Sequence, residues 1–368
     1  MTYHEDDELE PSDDLEPEDE TQIDNDFDDE GLENDAFEDD DFDNEDDGED
    51  EFDDEPQPTD TVFNDDWPED HRSGVVAVIG RPNVGKSTLL NSILGQKVAI
   101  TTAKPQTTRR QQLGIHTLEK GQMLLTDTPG IHKPHNKLSE MMYALAEMAI
   151  ADADVILWIL DASESPTPAD QHIAKVIMEQ APYTKVVLAL NKSDLITGRN
   201  DTTPHRALIE HESAFEISAL HNTNVTDIVE HVLSLLPVGP RYYPADQVSD
   251  LNMRFIAAEM IREQIMNHTD KEVPHSSAVV IESFKEGSER TTIEATIYVE
   301  RDSQKGIVIG KNGSMIKTIG TTARQELMAM LERPVHLELH VKVLKDWRSS
   351  EDFMKRLGYR LPRHNEAD

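Results

Sequence analysis

The sequence predicts an α/β fold, a mostly parallel, doubly wound sheet followed by a smaller α+β domain, on the strength of three patterns. Short β-branched runs alternate with helical patterns from Gly74 to about Pro237. The stretch Pro237-Val238-Gly239-Pro240-Arg241-Tyr242-Tyr243-Pro244 then interrupts them, because neither a helix nor a central strand tolerates such a density of proline. Beyond it the order becomes helix, two strands, a helix–turn–helix region and a last alternating strand.

Residues 1–70 stand apart. They hold 37 Asp+Glu and no Lys or Arg, so most of the chain's formal charge of −40 sits there, and the remainder is close to neutral. Like charges repel, and the scattered Phe27, Phe37, Phe42, Phe52 and Phe63 cannot bury enough surface to offset ordering entropy. The expectation is a disordered acidic extension. It is either a solubilising tail or a nucleic-acid mimic that competes for basic surfaces. The 368 residues contain no cysteine, which excludes disulfides, thiolate metal sites and cysteine nucleophiles and fits a reducing cytoplasm. The start lacks a secretory pattern, and the longest apolar runs are too short to span a bilayer.

In the first domain (73–237) the expected strands are 75–80, 112–117, 123–127, 155–160, 185–191 and 215–218. The helices are 87–94, 139–149, 169–179, 204–211 and 225–236. The motifs fall at strand ends, where an open parallel sheet binds ligands. After the first strand comes Gly80-Arg81-Pro82-Asn83-Val84-Gly85-Lys86-Ser87, a phosphate-binding loop. Its glycines let backbone N–H groups turn toward phosphate oxygens, Lys86 adds a mobile charge, and the Ser87 hydroxyl can ligate Mg²⁺.

Asp127-Thr128-Pro129-Gly130 closes the third strand, with Asp127 serving the Mg²⁺ shell through water and the Gly130 N–H reaching a γ-phosphate. Asn191-Lys192-Ser193-Asp194 closes the fifth. A carboxylate at Asp194 accepts two hydrogen bonds from guanine that adenine cannot offer, Lys192 packs along the base or sugar, and Asn191 ties this loop to the phosphate loop. Ser218-Ala219-Leu220 follows the sixth strand and offers the Ala219 N–H to guanine O6. In this order, each motif after its own strand, the set reads as a GTP site. The segment 101–110 has the place of a first switch loop, with Thr108 as a Mg²⁺ ligand.

Ile131 occupies the position at which Ras-type GTPases carry a glutamine that orients the attacking water. Two replacements are open: His132 positions the water, or Asn83 holds a monovalent cation that neutralises developing charge. The expected catalytic set is Lys86, Asn83, Thr108 and Gly130.

Residues 238–250 read as a linker, 251–360 as the second domain and 361–368 as a C-terminal tail. The second domain is expected to have a helix at 251–266, strands at 278–284 and 291–299, the helical region 307–332 and a strand at 335–343. Within it, Ile309-Gly310-Lys311-Asn312-Gly313 contains a Gly-x-x-Gly turn, with Lys317 just beyond. In a KH module such a turn brings backbone N–H groups against a single-stranded sugar-phosphate backbone while lysines add charge. Ile307, Ile309 and Ile316 either line the base groove or belong to the core. Lys342, Lys345 and Arg348 extend the basic track or are simply solvated. His336 and His340 lack a third ligand at metal-like spacing.

Taken together, the phosphate loop with Asn83, Gln106-Thr107-Thr108-Arg109, Asp127-Thr128-Pro129-Gly130, Asn191-Lys192-Ser193-Asp194 and Ser218-Ala219, joined to the C-terminal domain, resemble the bacterial Era-type GTPases over about residues 73–360. The resemblance implies a type II KH domain and a potassium-assisted hydrolysis with Asn83 as one K⁺ ligand. It further implies binding to the 3′ end of 16S ribosomal RNA during 30S subunit maturation. A cytoplasmic monomer is expected, with room for peripheral association on the inner face of the cell membrane. The residues alone leave two functions open: a GTP-driven switch, or an RNA chaperone in which nucleotide mainly stabilises the fold.

Overall fold

The computed structural model describes residues 67–360, apart from 103, 197, 199 and 200. The expected disorder thus lies outside the described residues up to residue 66, as does the 361–368 tail. At 67–70 the structure departs from the expectation. His71 N–H donates to Pro68 O, Arg241 lies 5.9 Å over the Trp67 ring, and Gly239 N–H donates to His71 O. These contacts fix the chain where it enters the sheet.

Six strands take the order β2-β3-β1-β4-β5-β6. They are β1 (Arg72–Ile79), β2 (Gln112–Leu118), β3 (Gly121–Asp127), β4 (Val155–Asp161), β5 (Lys185–Asn191) and β6 (Ser213–Glu216). β2 pairs antiparallel at one edge, and every other pairing in this sheet is parallel. Helices α1 (Lys86–Leu94), α2 (Lys137–Ala151), α3 (Pro168–Gln180), α4 (Thr203–Arg206) and α5 (Val225–Leu235) connect them.

Both faces are covered, which is why the central strands read as nearly continuous apolar runs. Val78, Leu125, Leu157 and Ala189 pack in the core with Leu89 of α1 and Ile228 of α5. Their alternating neighbours Ala77, Ile156, Trp158 and Leu188 pack with Ala146 of α2 and Ile173 of α3. Asn136 caps α2 and Thr167 caps α3, each in a reciprocal box with the residue three positions on. The helix expected at 204–211 shrinks to one turn, because Glu212 N–H must donate to Val186 O to bring β6 into register beside β5.

The second domain contains α6 (Met253–His268), α7 (Val273–Ser276), β7 (Ala278–Glu286), β8 (Thr291–Val299), α8 (Asp302–Ile309), α9 (Ser314–Leu331), β9 (Val335–Val343) and α10 (Glu351–Arg356). β8 is central, antiparallel to β7 and parallel to β9. Ile261 and Ile265 of α6, Ala295 and Ile297 of β8, Val308 of α8 and Ile319 of α9 form its core. The helical region begins at Asp302 rather than 307, because Gln304 receives the Glu300 and Arg301 N–H groups and starts the helix early.

The linker is not free. Buried Gln122 on β3 accepts the Tyr242 and Tyr243 N–H groups and donates to Tyr243 O, so one polar core side chain fastens the crossing segment. A bridge between Gly114 and Ser249 extends this attachment along β2. The two sheet domains also share apolar contacts: Leu138, Met142 and Leu145 of α2 pack with Ala278, Trp347 and Tyr359.

Candidate functional site: a nucleotide cleft joined to an RNA-type turn

The phosphate loop runs from Gly80 to Ser87 between β1 and α1, and its conformation needs the residues it has. Gly85 has φ +103°, and a Cβ there would meet Asn191 Nδ2 at 2.3 Å. Gly130 approaches this loop so closely that a Cβ would lie 2.8 Å from Pro82 N. Val84 is buried in the core and anchors the loop, while Lys86 Nζ donates to Arg81 O at 3.0 Å. Burial lowers the Lys86 ammonium to about 8, against the opposing pull of Asp127.

Three oxygens converge beside Lys86. Ser87 Oγ donates to Asp127 Oδ2 at 2.8 Å, Thr108 Oγ1 donates to the same oxygen at 3.1 Å, and the two hydroxyls lie 2.9 Å apart. Burial raises the Asp127 carboxyl above its ordinary value, with Lys86 and the two hydroxyls opposing. Its other oxygen, Oδ1, is buried with no hydrogen-bond partner among the described residues. A cluster of hard oxygens with one unsatisfied carboxylate atom suits a small divalent cation. Pro82, Asn83, Gly85, Thr102, Thr108 and Gly130 are among the residues that line this end of the cleft.

The base end continues from it, through Asn83, Gly85, Thr88 and Thr102, to Lys192, Asp194, Leu195 and Leu220. Asn191 Nδ2 donates to Val84 O at 2.8 Å, tying the two loops as expected from the sequence. Ser218 Oγ donates to Asp194 Oδ1 at 2.5 Å and orients that carboxylate. Lys192 has φ +67°, and its Nζ lies 2.6 Å from Asp161 Oδ2. Ser193 N–H donates to Ile217 O, holding the loop against the end of the sixth strand.

On the second domain, Gly310 and Gly313 adopt φ +74° and +72°, with Asn312 at +52° between them. A Cβ at Gly310 would strike the Met315 backbone at 2.7 Å, whereas nothing lies within 4 Å of one at Gly313. The turn is therefore tight on one side and open on the other, as close backbone approach requires. Lys311 and Lys317 are exposed, Ile307 is half exposed, and Ile309 and Ile316 are partly buried beside the turn. Arg348 does not extend this surface, because it pairs with Glu300 at 2.5 Å.

Family models match both halves: one described as a 50S ribosome-binding GTPase at residues 75–192, and a KH domain at 272–348. A GTPase Era from Carboxydothermus hydrogenoformans is 44% identical over 294 residues, covering 78% of this chain and 98% of the relative. The chain belongs to the Era family of GTPases. An Era from Thermotoga petrophila is 47% identical over 286 residues, covering 76% of this chain and 94% of the relative. Two solved structures cover 79% of this chain and all of their own, each with a TM-score of 0.75. One is an Aquifex aeolicus Era variant bound to GDP·AlF4⁻, 40% identical. The other is an Era in complex with MgGDPNP and nucleotides 1506–1542 of 16S ribosomal RNA, 38% identical.

Against this Era-family background, four residues of the motifs or beside them find their partners within the protein. Ile131 is 1% exposed and packs in the core with Ala77 and Ile79, so its side chain serves the core and lines neither end of the cleft. Thr128 is buried and donates to Val78 O, which makes it a brace for its loop. The Ala219 N–H, expected to face the base, donates to Asn191 Oδ1 at 2.9 Å, because that amide is already oriented by Val84 O. His132 is bound on both nitrogens, by Lys133 O and the Gln106 amide; a proton on Nδ1 satisfies both contacts. It joins the first switch segment to the loop after Gly130.

The Era-family motifs also omit several residues that the cleft uses. Leu195 lines it without any sequence signature, and Thr102 joins it from the first switch segment. Asp161, at the end of β4, receives Lys192 and lies 3.7 Å from Arg81. The destination of Arg109 is the largest omission. This buried guanidinium donates to Ser277 O at 2.6 Å, Pro274 O at 2.9 Å and His275 O at 3.0 Å, all on the KH side. From the opposite direction, Arg262 of α6 donates to Thr107 O. Although burial opposes its charge, Glu259 holds Arg262 above its ordinary value. Thr108 thus sits between two arginine contacts that cross the domain boundary.

Proposed function

We propose that this chain hydrolyses GTP and binds the 3′ end of small-subunit ribosomal RNA through its KH domain, as a switch in 30S subunit maturation. The observation that carries this reading is residues 107–109. Thr108 belongs to the oxygen cluster with Ser87 and Asp127, while its two neighbours are gripped by or planted in the KH domain. Any change in how Thr108 meets the terminal phosphate is therefore transmitted to the domain that carries Gly310–Gly313.

The donor set fits Mg²⁺: the Ser87 and Thr108 hydroxyls would hold it directly and Asp127 through water, and the ion would neutralise charge on the phosphate oxygens. Lys86 lies on the same side and would draw the phosphates toward the loop amides. Asp194 selects guanine, and the stem of Lys192 borders the base plane. Asn83, which lines both ends of the cleft, is assigned as a K⁺ ligand; with Ile131 in the core, a cation there would supply the charge that an arginine provides elsewhere. A cytoplasmic monomer is the expected form, and membrane association rests on the family resemblance alone.

The reading is tested by the affinity of the full chain for a 16S 3′-end oligonucleotide with GDP and with a non-hydrolysable GTP analogue. A difference of fivefold or more is expected, the range of ordinary coupling energies, roughly 1–3 kcal/mol. Equal affinities would leave RNA binding intact and remove the switch. GTP turnover in K⁺ and in Na⁺ tests the cation site: K⁺ should accelerate the wild type, and Asn83→Ala should lose the acceleration.

A further inference from the structure

The lysine of the base loop ends at a carboxylate that lies outside both nucleotide motifs. Lys192 of the base loop places Nζ 2.6 Å from Asp161 Oδ2, whereas Arg81 of the phosphate loop donates through Nη2 to Glu164 and lies 3.7 Å from the Asp161 oxygen. Asp161 is 7% exposed and closes β4, the strand between those that end in the two loops. Its other oxygen accepts the Ser163 hydroxyl at 2.6 Å and the Ser163 N–H at 3.1 Å. His205 Nε2 bonds its backbone carbonyl at 3.2 Å. Although burial alone would raise its carboxyl, the bonds from Lys192 and Ser163 hold it below its ordinary value. The carboxylate is rigid, charged and aimed.

We infer that Asp161 is a positioning residue for nucleotide retention: by holding Nζ it extends the Lys192 side chain along the base pocket. This inference rests on the guanine-nucleotide reading of the cleft. Lys192 starts from a left-handed backbone conformation and lines the pocket with Asp194, Leu195 and Leu220. A lysine stem has four rotatable bonds, so an untethered Lys192 loses its defined place beside the base and must be ordered again on each binding event. A tether at Nζ removes that cost in advance. Because Asp161 touches neither phosphate nor base, its loss should appear in nucleotide release and KM more than in the chemical step.

The test uses the full chain with a fluorescent GDP analogue and a double-mutant cycle. Asp161→Asn keeps the shape and removes the charge, and is expected to speed analogue dissociation about tenfold, the scale of one charge-assisted hydrogen bond. KM for GTP should rise in proportion while kcat changes less. Lys192→Met should give a similar increase, and adding Asp161→Asn to it should produce little further change. Equal added losses in the Lys192→Met background, or a wild-type dissociation rate in Asp161→Asn, would overturn the pairing. Should Asp161→Asn fail to fold, Asp161→Glu serves instead: it keeps the charge, misplaces Nζ, and must again be silent beside Lys192→Met. A wild-type chain that does not retain the analogue would instead overturn the guanine reading itself.

Discussion

The two ends of the cleft are built from different territory. The base end closes within the first domain: Asp194 is oriented by Ser218, Asn191 joins Val84 to Ala219, and Lys192 reaches Asp161. The phosphate end is completed from outside it. Thr108 meets Ser87 and Asp127, but Thr107 is held by Arg262 and Arg109 is buried among carbonyls of the KH domain. On the proposed function, which nucleotide binds is decided by one domain, whereas the state of its terminal phosphate is felt by both. A protein that needs a constant ligand and a variable output gains from that separation.

The strongest way to break the comparison is to change the base without touching the switch. Asp194→Asn should weaken GTP binding roughly 10³-fold, from two charge-assisted hydrogen bonds worth about 2 kcal/mol each. Xanthine nucleotides, whose hydrogen-bonding pattern complements an amide, should gain affinity. With a xanthosine triphosphate analogue saturating the variant, the nucleotide effect on RNA affinity should return to its wild-type size. A coupling that stays lost would mean that the base end also speaks to the KH domain, and titration calorimetry with both nucleotides followed by RNA binding measures each part.

Arg109→Ala attacks the other end. It strands three buried carbonyls and empties the space beside Trp347 and Tyr359, at a stability cost of about 3 kcal/mol. Thermal denaturation of the full chain reads that loss. The decisive measurement is the ratio of RNA affinities with the GTP analogue and with GDP, which should move toward one while guanine selectivity stays. Arg109→Lys can meet only part of the carbonyl set and should fall between. A stable variant with an unchanged ratio would place the coupling elsewhere, in α2 or the linker strap.

The contrast between the ends also explains what could be read in the chain. The proposed phosphate and base contacts come from short contiguous runs after strands, so Gly80–Ser87, Asp127 and Asp194 announce themselves through spacing. The six-stranded α/β layer was equally legible, because burial of both sheet faces writes itself as apolar strands between amphipathic helices. Arg109 was visible as a residue but its destination was not, since acceptors at 274–277 carry only backbone carbonyls and leave no mark in side-chain identity. Asp161 and Gln122 were invisible for a related reason: each acts through partners distant in sequence. Ile131 was identified as a missing glutamine, yet only packing reveals that it serves the core.

On the RNA side, Gly313→Asp sharpens the comparison by testing an output that neither end of the cleft touches directly. The position has a left-handed backbone and open space around it, so the new side chain costs about 1 kcal/mol of strain and puts negative charge where phosphate would approach. RNA affinity should fall about tenfold in GDP and in the GTP analogue alike, leaving their ratio intact. A changed ratio would mean that the turn itself responds to nucleotide.

The smallest expected effect belongs to Lys97, which pairs across the domain boundary with Glu263 at 2.5 Å and Glu326 at 2.9 Å. Its side chain is 37% exposed, so solvent screens the attraction, and Lys97→Met should cost no more than about 1 kcal/mol at low salt and less at high salt. Glu263 modifies that expectation. It is 4% exposed, also accepts the Thr101 N–H, and its carboxyl is raised by burial against the pull of Lys97. Removing the lysine leaves a buried carboxyl with one backbone donor, and protonation then becomes its cheapest relief. The variant should therefore lose less stability at pH 5 than at pH 7, because the neutral acid needs no cation. Salt and pH melts of the full chain distinguish the two terms: a loss independent of both would assign Lys97 a packing role along its methylene stem.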